Sequence, residues 1–277
     1  MKYKIHYGPN SPLSWDKFYH CMEWGYTMDV IYSLSLFLDD SWLLIFTDQF
    51  NSLPSFDGFP KEKVIVILVG DEDARIPPYH NQVGFVFKHY LNSDCEAGNV
   101  YPIPQGLMTG LLNLPYRNIE DRSVDLMFFG NPHGSRKAIL QGLYERLKDE
   151  CNVFFGEGNA ETFKMHNYSH RLFDAKISLD LLGGKSSETF RYYESIRYGC
   201  VTFTYPKKDN WIYRDAPVIV PNWDDLDSVA QDILNLLSDT KKMQFISESC
   251  VNHWEVRLSA PTVALKIYVI LKRKGGI

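Results

Sequence analysis

The segment spanning residues 176–205 constrains the fold more than any other, because it predicts a strand, a helix and a second strand in succession. The apolar runs 177–182 and 201–205 have the length and composition of buried strands. Between them a helix is predicted over residues 188–198, ending at Gly199, a residue type that commonly stops helices. Neighbouring parallel strands need a long crossover connection, which is usually a helix, whereas antiparallel neighbours can be joined by a short turn. A helix between two strands therefore indicates that the strands run parallel. The segment therefore predicts an α/β fold with a parallel sheet.

The turn that leads into this helix has the composition of an anion-binding site. A helix N-terminus presents free backbone N–H groups and the positive end of the helix dipole. Hydroxyl groups and cations crowd the same turn, at Ser186, Ser187, Thr189, Lys185 and Arg191. A carboxylate, Glu194, lies further along the helix. This pattern indicates a cradle for a diphosphate, with a carboxylate beside it.

Two other interpretations of the turn compete with this one. The Gly-Lys-Ser sequence matches part of a phosphate-binding loop, but that motif requires glycine where this chain has Leu179. The turn can also be an ordinary strand-to-helix connection in which Ser186 or Ser187 only caps the helix, a common arrangement. The lysine, arginine and glutamate clustered beside the serines favour a binding function over simple capping.

The stretch SSETFRYYESIRYGCVTFTY, residues 186–205, resembles the sugar-nucleotide half of exostosin-type glycosyltransferases. The α1,3-fucosyltransferases have a related layout, and the resemblance extends over residues 125–205. The positions that match are Arg191, Glu194, Gly199 and Cys200. The resemblance implies a GT-B-like α/β fold, in which two Rossmann-like domains with parallel sheets face a cleft and the C-terminal domain binds the nucleotide-sugar donor.

The sequence divides into two predicted domains around a polar, irregular stretch, residues 107–123. Residues 1–115 are expected to form a small acceptor-side α/β domain, whose clearest strand is the wholly apolar run 64–69. Residues 116–277 are expected to form the nucleotide-sugar-binding α/β domain. The resemblance further implies that the last helices return to brace the first domain.

An acidic cluster, Asp71, Glu72 and Asp73, lies directly after the strand predicted at 64–69. Ligands of parallel α/β sheets bind at the carboxyl ends of the strands, so one of these carboxylates is a candidate general base for an acceptor hydroxyl. The cluster can equally be a solvated turn in which an aspartate caps the next segment. A third interpretation is the metal-binding D-x-D motif of GT-A glycosyltransferases at Asp71 and Asp73, although the donor signature lies much later in the chain.

A second strand is predicted at residues 124–129. A glycine-rich loop and then a helix follow it, and Arg136 lies in the first turn of that helix. Cations in the first turn of a helix oppose the helix dipole, which a chain tolerates when an anion binds there. Arg136 is therefore the best candidate for a second phosphate ligand, through bidentate guanidinium geometry. Lys137 is the alternative ligand, and the competing interpretation is that Arg136 is only a surface residue.

The stretch FKHYLNSDC, residues 87–95, resembles the segment that leads from the acceptor half toward the linker in exostosin-like and fucosyltransferase chains. On this resemblance Lys88 and His89 would lie near the cleft. A lone histidine is more often structural than functional, so the sequence alone assigns His89 no role.

Composition and charge argue against several classes of function. The net charge of −5 argues against a general nucleic-acid-binding surface. The five cysteines lack the paired spacing of zinc sites and are expected to be reduced thiols of a cytoplasmic protein. Neither a signal peptide nor an apolar run of about 20 residues is recognisable. The apolar stretch 263–271, with Lys272, Arg273 and Lys274 after it, predicts either a packed last helix or a peripheral contact with the inner face of a membrane.

Together these patterns predict a glycosyltransferase that transfers a sugar from a nucleotide-sugar co-substrate to a hydroxyl of a glycan or glycolipid acceptor, as in polysaccharide biosynthesis. No other cofactor and no metal are expected, and the resemblance implies inversion at the anomeric carbon. Asp71, Glu72 or Asp73 would accept the proton of the hydroxyl. Glu194 would accept hydrogen bonds from the ribose or the sugar. The leaving diphosphate would be bound by Arg136, Ser186, Ser187, Thr189 and Arg191.

Two alternative functions stay open at this point. One is a metal-dependent GT-A-type glycosyltransferase that uses Asp71 and Asp73. The other is a non-catalytic module that binds a nucleotide-sugar or a glycan. Such a module would bind the donor without transferring its sugar, so an assay of sugar transfer separates it from the enzymes.

Overall fold

The computed structural model describes residues 1–6, 22–157, 165–183 and 186–274. The chain divides into two compact units. The first unit comprises Met1–Thr109, Lys207–Arg214 and Val256–Ile277, and the second comprises Gly110–Pro206 and Asp215–Glu255. The first unit thus contains the end of the chain as well as its beginning, so it is larger than the segment that precedes the predicted linker.

The elements are numbered in chain order. The strands are β1 (Lys2–His6), β2 (Leu43–Thr47), β3 (Val64–Leu68), β4 (Phe85–Lys88), β5 (Val100–Pro102), β6 (Val124–Phe129), β7 (Val153–Gly156), β8 (Ala175–Asp180), β9 (Val201–Thr204) and β10 (Val218–Ile219). The helices are α1 (Trp24–Ser35), α2 (Ser135–Leu147), α3 (Met165–Phe173), α4 (Phe190–Arg197), α5 (Leu226–Leu237), α6 (Thr240–His253) and α7 (Ala260–Arg273).

The first unit is built on a parallel sheet in the order β1-β2-β3-β4-β5. Its strands β2 and β3 are buried along their whole length, which explains why the run VIVIL is entirely apolar. Helices α1 and α7 pack against each other. Tyr26 of α1 donates a hydrogen bond of 2.5 Å to the carbonyl oxygen of Leu258, just before α7. The last helix of the chain is therefore part of the first unit.

Helix α7 is the stretch for which the sequence predicts either packing or membrane contact. Val263, Ala264, Ile267 and Leu271 are buried, so the prediction of a packed last helix is confirmed. Among the residues that the structure describes, no helix is long and apolar enough to cross a membrane.

The second unit contains a parallel sheet in the order β10-β9-β8-β6-β7. The strands β6 and β8 are neighbours at the middle of this sheet. The strand β7 is added next to β6 on one side, and β9 and β10 are added next to β8 on the other side. This reversal creates a topological switch point between β6 and β8, and ligands of open α/β sheets bind at such points. The two sheets confirm the parallel α/β fold predicted from the sequence.

Apolar side chains of β6, β8 and β9 form the core of the second unit with helices α2 and α5. Phe128, Leu179 and Phe203 come from the strands, and Leu143 and Ile233 come from the helices. Each of these five side chains is at most 1% exposed. The Phe128 ring lies near the carboxyl end of β6, so this core supports the switch point directly.

Candidate functional site

Two arginine side chains converge at the switch point of the second sheet. Arg136 lies in the first turn of α2, after β6, and Arg191 lies in the first turn of α4, after β8. Their guanidinium carbons are 6.0 Å and 5.1 Å from the centre of the Phe128 ring. Both groups donate to the carbonyl oxygen of Leu181, at 3.3 Å and 3.4 Å. The structure thus brings together the two arginines that the sequence singles out.

The hydrogen-bond acceptors of this arginine pair are neutral. Arg136 also donates to the carbonyl oxygen of Asn131 at 3.1 Å, and Arg191 donates to that of Phe129 at 3.4 Å. The Nε atom of each arginine is buried without a hydrogen-bond partner, and among the described residues no carboxylate forms an ion pair with either. Two cations side by side, Arg136 buried and Arg191 half-buried, lose solvation and repel each other. A bound anion offsets both effects, so the pair has the properties of an anion site.

The environment of Arg136 shifts its titration but leaves it charged at neutral pH. Burial lowers the pKa of Arg136 to about 10, the charge of Arg191 acts in the same direction, and Asp180 opposes the shift. The residue is only 5% exposed. The alternative that Arg136 is a surface residue is therefore wrong, because the loop before α2 turns the side chain inward to reach Leu181.

The approach of Arg191 to the loop after β6 depends on a glycine. Gly130 has a φ of +148°, and a Cβ atom there would lie 2.7 Å from Nη1 of Arg191. Gly130 also lines a cavity of about 500 Å³ between α2 and β7, together with Phe128, Lys137 and Glu157. The cavity shares Phe128 and Gly130 with the surroundings of the arginine pair.

Asp180, at the end of β8, fixes the start of α4. Its carboxylate accepts hydrogen bonds from the hydroxyls of Thr189, at 2.5 Å, and Thr204, at 2.7 Å. The sequence predicts Thr189 as a donor ligand, and in the structure its hydroxyl donates to Asp180 within the turn. Sequence reasoning missed Asp180, although a single acidic residue within the apolar run 177–182 is a recognisable signal.

The helix cap also differs from the prediction. The hydroxyl of Ser186 accepts from the backbone N–H of Glu188 at 3.1 Å. The chain is extended at Thr189, which occupies the N-cap position without a side-chain cap bond, so α4 begins two residues later than predicted. Ser186 is buried and Ser187 is half-buried. Lys185 lies outside the described residues.

Glu194 is fully buried inside the second unit. Its carboxylate accepts a hydrogen bond of 2.5 Å from the hydroxyl of Tyr168. Burial and the charge of Glu194 raise the pKa of Tyr168 well above its ordinary value. Arg191 is directed instead at the carbonyl oxygens of Leu181 and Phe129. The alternative that Arg191 and Glu194 form a simple surface ion pair is therefore wrong.

The acidic cluster of the first unit is bound to two cations. Lys88, fully buried at the end of β4, places Nζ 3.2 Å from Oδ2 of Asp71 and donates to the carbonyl oxygen of Asp73 at 2.7 Å. Arg75 lies 2.7 Å from Oδ1 of Asp71 and 3.4 Å from Oδ2 of Asp73. Oδ1 of Asp71 accepts a hydrogen bond from Arg75, Oδ2 is in an ion pair with Lys88 but has no hydrogen-bond partner, and Glu72 is exposed. Within the described ranges, no three or more His, Cys, Asp or Glu side chains are grouped to hold a metal ion.

His89, the residue after Lys88, is fully buried, and both of its ring nitrogens lack a hydrogen-bond partner. Burial lowers the pKa of His89 to about 3, and the charge of Lys88 acts in the same direction. Nearby, Gln105 donates to the hydroxyl of Tyr90 at 2.8 Å, while its own Oε1 is buried without a partner. Because buried polar atoms without partners are rare, the region after β4 carries atoms that a ligand can satisfy.

Solved structures that resemble this one are glycosyltransferases of the GT-B fold. An alpha-glucosyltransferase in complex with UDP and a 13-mer DNA has a TM-score of 0.57 at 11% identity, over 89% of this chain and 84% of that one. HepE from Anabaena, in complex with UDP, has a TM-score of 0.54 at 10% identity, over 99% of this chain and 100% of that one. A variant of TarM from S. aureus has a TM-score of 0.51 at 14% identity, over 88% of this chain.

The chain spans 58% of the length of the TarM chain that it matches. At these identities the likeness concerns the fold, and the GT-B-like fold predicted from the sequence is confirmed. No protein-family model matches the chain, and no curated protein matches it. The resemblance to exostosin-type enzymes therefore stays a prediction.

Proposed function

We propose that the protein is a glycosyltransferase that moves a sugar from a nucleotide-sugar donor to a hydroxyl of a glycan or glycolipid acceptor in polysaccharide synthesis. The observation that carries the proposal is the pair of buried Arg136 and half-buried Arg191 at the switch point, which has no carboxylate partner among the described residues. The bound UDP of the alpha-glucosyltransferase and HepE structures supports a nucleotide-sugar as the class of ligand.

In this proposal the two guanidinium groups bind the diphosphate of the donor. Their planar donor geometry matches phosphate oxygens, and both lie where a helix begins after a parallel strand. When the bond between the anomeric carbon and the diphosphate oxygen breaks, negative charge develops on that oxygen and the prepositioned cations stabilise it. The hydroxyls of Ser186 and Ser187 contribute further donors. Because the protein supplies this charge itself, the proposed transfer needs no metal.

The nucleoside lies beside the diphosphate, where the cavity adjoins Phe128 and Gly130. Glu194, one turn beyond Arg191 on α4, accepts hydrogen bonds from the ribose or sugar hydroxyls in this proposal. Its carboxylate is already aligned by the hydroxyl of Tyr168, so the two side chains act as one unit. The nucleotide-sugar is the only co-substrate that the proposal requires.

The acceptor hydroxyl attacks the anomeric carbon from the side opposite the diphosphate, which inverts that centre. Its proton passes to a carboxylate of the first unit, Asp71, Glu72 or Asp73. Use of Asp71 requires breaking its ion pairs with Lys88 and Arg75. Each of the three carboxylates stays a candidate for the base in this proposal.

A non-catalytic nucleotide-sugar-binding module is the second candidate. The ion pairs that hold Asp71 and Asp73 favour it, because they give these carboxylates a structural role. In either case we propose a cytoplasmic protein with peripheral membrane contact through its basic C-terminus.

A thermal-shift screen over nucleoside diphosphates and sugar nucleotides, with a chelator or with manganese, tests the proposal. A ligand that binds the folded state raises the melting temperature by mass action. We expect a nucleoside diphosphate to stabilise the protein with the chelator present, and sugar transfer to occur with a suitable acceptor. If none of these ligands stabilises the protein, the proposal of donor binding is wrong. If a ligand stabilises it only with manganese, the proposal that no metal is needed is wrong. Binding without sugar transfer across a broad acceptor panel supports the binding module.

A further inference from the structure

The outer faces of α1 and α7 carry a concentration of exposed apolar side chains. Tyr32 is 71% exposed and Leu36, directly after α1, is 72% exposed. Phe37 is 45% exposed and Leu265 on α7 is 49% exposed. Single exposed apolar residues are normal on protein surfaces, but a contiguous group indicates an interaction surface.

These residues lie on two helices that pack against each other. Positions 32 and 36 are four apart and share one face of α1, and Leu265 and Tyr268 share one face of α7 by the same rule. The rings of Phe37 and Tyr268 stack with centroids 5.2 Å apart, which joins the two faces. We name this surface the α1–α7 apolar face, and it consists of Tyr32, Leu36, Phe37, Leu265 and Tyr268.

A cluster of cations adjoins the α1–α7 apolar face at one end. The helices run parallel, since their starts meet at Tyr26 and Leu258 and their ends meet at Phe37 and Tyr268. The end of α7 therefore lies beside the end of α1. No acidic residue occurs from position 256 to 277, although the whole chain has a net charge of −5. The cations of this segment are Arg257, Lys266, Lys272, Arg273 and Lys274, of which the last three are exposed.

Three acidic residues, Asp29, Asp39 and Asp40, lie near this surface. Asp40 pairs with the N-terminal amine at 3.1 Å, and Asp39 accepts a hydrogen bond from the backbone N–H of Ser41. Asp29 is exposed on α1, and partial burial raises its pKa. Lys272, Arg273 and Lys274 give the apolar side chains an exposed cationic edge.

We propose that the α1–α7 apolar face docks on an anionic lipid bilayer. Leucine and phenylalanine side chains insert among the acyl chains, tyrosines lie at the polar boundary, and Lys272, Arg273 and Lys274 reach the head groups. A lipid surface supplies both the apolar layer and the negative charge that this face complements. The contact leaves the carboxyl ends of β3 and β4, with Asp71 and His89, uncovered, because α1 ends at the amino end of β2. This inference does not depend on sugar transfer.

Flotation with vesicles of phosphatidylcholine, with and without phosphatidylglycerol, tests the docking surface. One variant combines Tyr32→Ser with Leu36→Ser, and another combines Lys272→Glu, Arg273→Glu and Lys274→Glu. The matched controls lie in the second unit, on α6. Phe245→Ser removes an apolar side chain that is also 71% exposed, and Lys241→Glu with Lys242→Glu reverses two exposed cations. Thermal melting confirms that each variant is folded.

We expect the native protein to float with phosphatidylglycerol vesicles, less at high salt, and hardly with phosphatidylcholine alone. Each variant of the α1–α7 apolar face should bind about tenfold or more weakly, while the controls bind as the native protein does. Absence of native binding overturns the proposal, as does equal loss in the controls. Light scattering measures the molar mass of the native protein and of Leu36→Ser. A native dimer that becomes a monomer in Leu36→Ser also overturns the proposal, because the face would then contact a second copy of the chain.

Discussion

At the residue scale, binding and stability are opposed at the arginine pair. Arg136 and Arg191 share the Leu181 carbonyl oxygen, and each leaves a buried Nε without a partner. Such an arrangement destabilises the protein alone and becomes favourable when an anion arrives. The spacing in the sequence predicts both arginines as phosphate ligands, but the shared carbonyl depends on how two distant loops fold, which no local pattern encodes.

Alanine at Gly130 should weaken the binding of a nucleoside diphosphate about tenfold or more, because the new methyl group displaces Arg191. It should also lower the free energy of unfolding by about 1–3 kcal/mol, since φ is +148° there. Gly134→Ala is the matched control, because Gly134 has a φ of +58° and a Cβ atom added there would have no neighbour within 4 Å. Calorimetric titration and chemical denaturation measure both quantities. Equal affinities in the two variants would show that Gly130 does not position Arg191.

His89 should make stability depend on pH in a defined window. Its pKa is about 3 in the folded protein, below the value of about 6.5 for an unperturbed histidine. Between these values the unfolded chain binds a proton that the folded protein does not, so the free energy of unfolding falls as pH falls, by at most about 1.4 kcal/mol per pH unit. His89→Asn should remove this component from denaturation curves measured between about pH 6.5 and 4.5, and His166→Gln, at an exposed position, should retain it. Identical pH dependence in native protein and His89→Asn contradicts the assignment.

At the element scale, the sequence predicts the strands well and the turns between them less well. The wholly apolar run that becomes β3 is unambiguous, because only a strand covered on both faces has that composition. Helix α4 begins two residues later than the sequence predicts. The hydrogen bond between Thr189 and Asp180 holds the chain extended at the position where the local sequence favours a helix cap. Likewise, the sequence places three carboxylates after β3, but the cations that bind them come from Lys88 on β4 and from Arg75.

Amide variants of the turn after β3 separate its catalytic and structural carboxylates. Glu72→Gln should lower turnover at saturating donor by about 10²–10⁴-fold if Glu72 is the base. Asp71→Asn should instead destabilise the protein, because buried Lys88 loses its counter-charge. Turnover assays and thermal melting of both variants and of Asp73→Asn measure the two effects. Near-native turnover in all three variants would place the base elsewhere.

At the scale of the whole molecule, the parallel sheets result from the strand–helix–strand pattern, and the neighbours confirm the GT-B-like fold. The membership of α7 in the first unit is not encoded in its own sequence, which shows only an amphipathic helix with a basic end. The strand order of the second sheet is likewise invisible in the sequence, yet it creates the switch point at which Arg136 and Arg191 meet.

Calorimetric titration of UDP tests the central claim that this arginine pair binds the donor diphosphate. Arg136→Ala and Arg191→Ala should each weaken binding by about 1.5–3 kcal/mol, the contribution of a charged hydrogen bond. Thermal melting of the free variants checks that each is folded. The control is Arg171→Ala, which removes an arginine that also lies over a phenylalanine ring, that of Phe154, but outside the switch point. Tight UDP binding lost in the first two variants and kept in the control is the predicted result. Unchanged affinity in Arg136→Ala and Arg191→Ala would contradict the account.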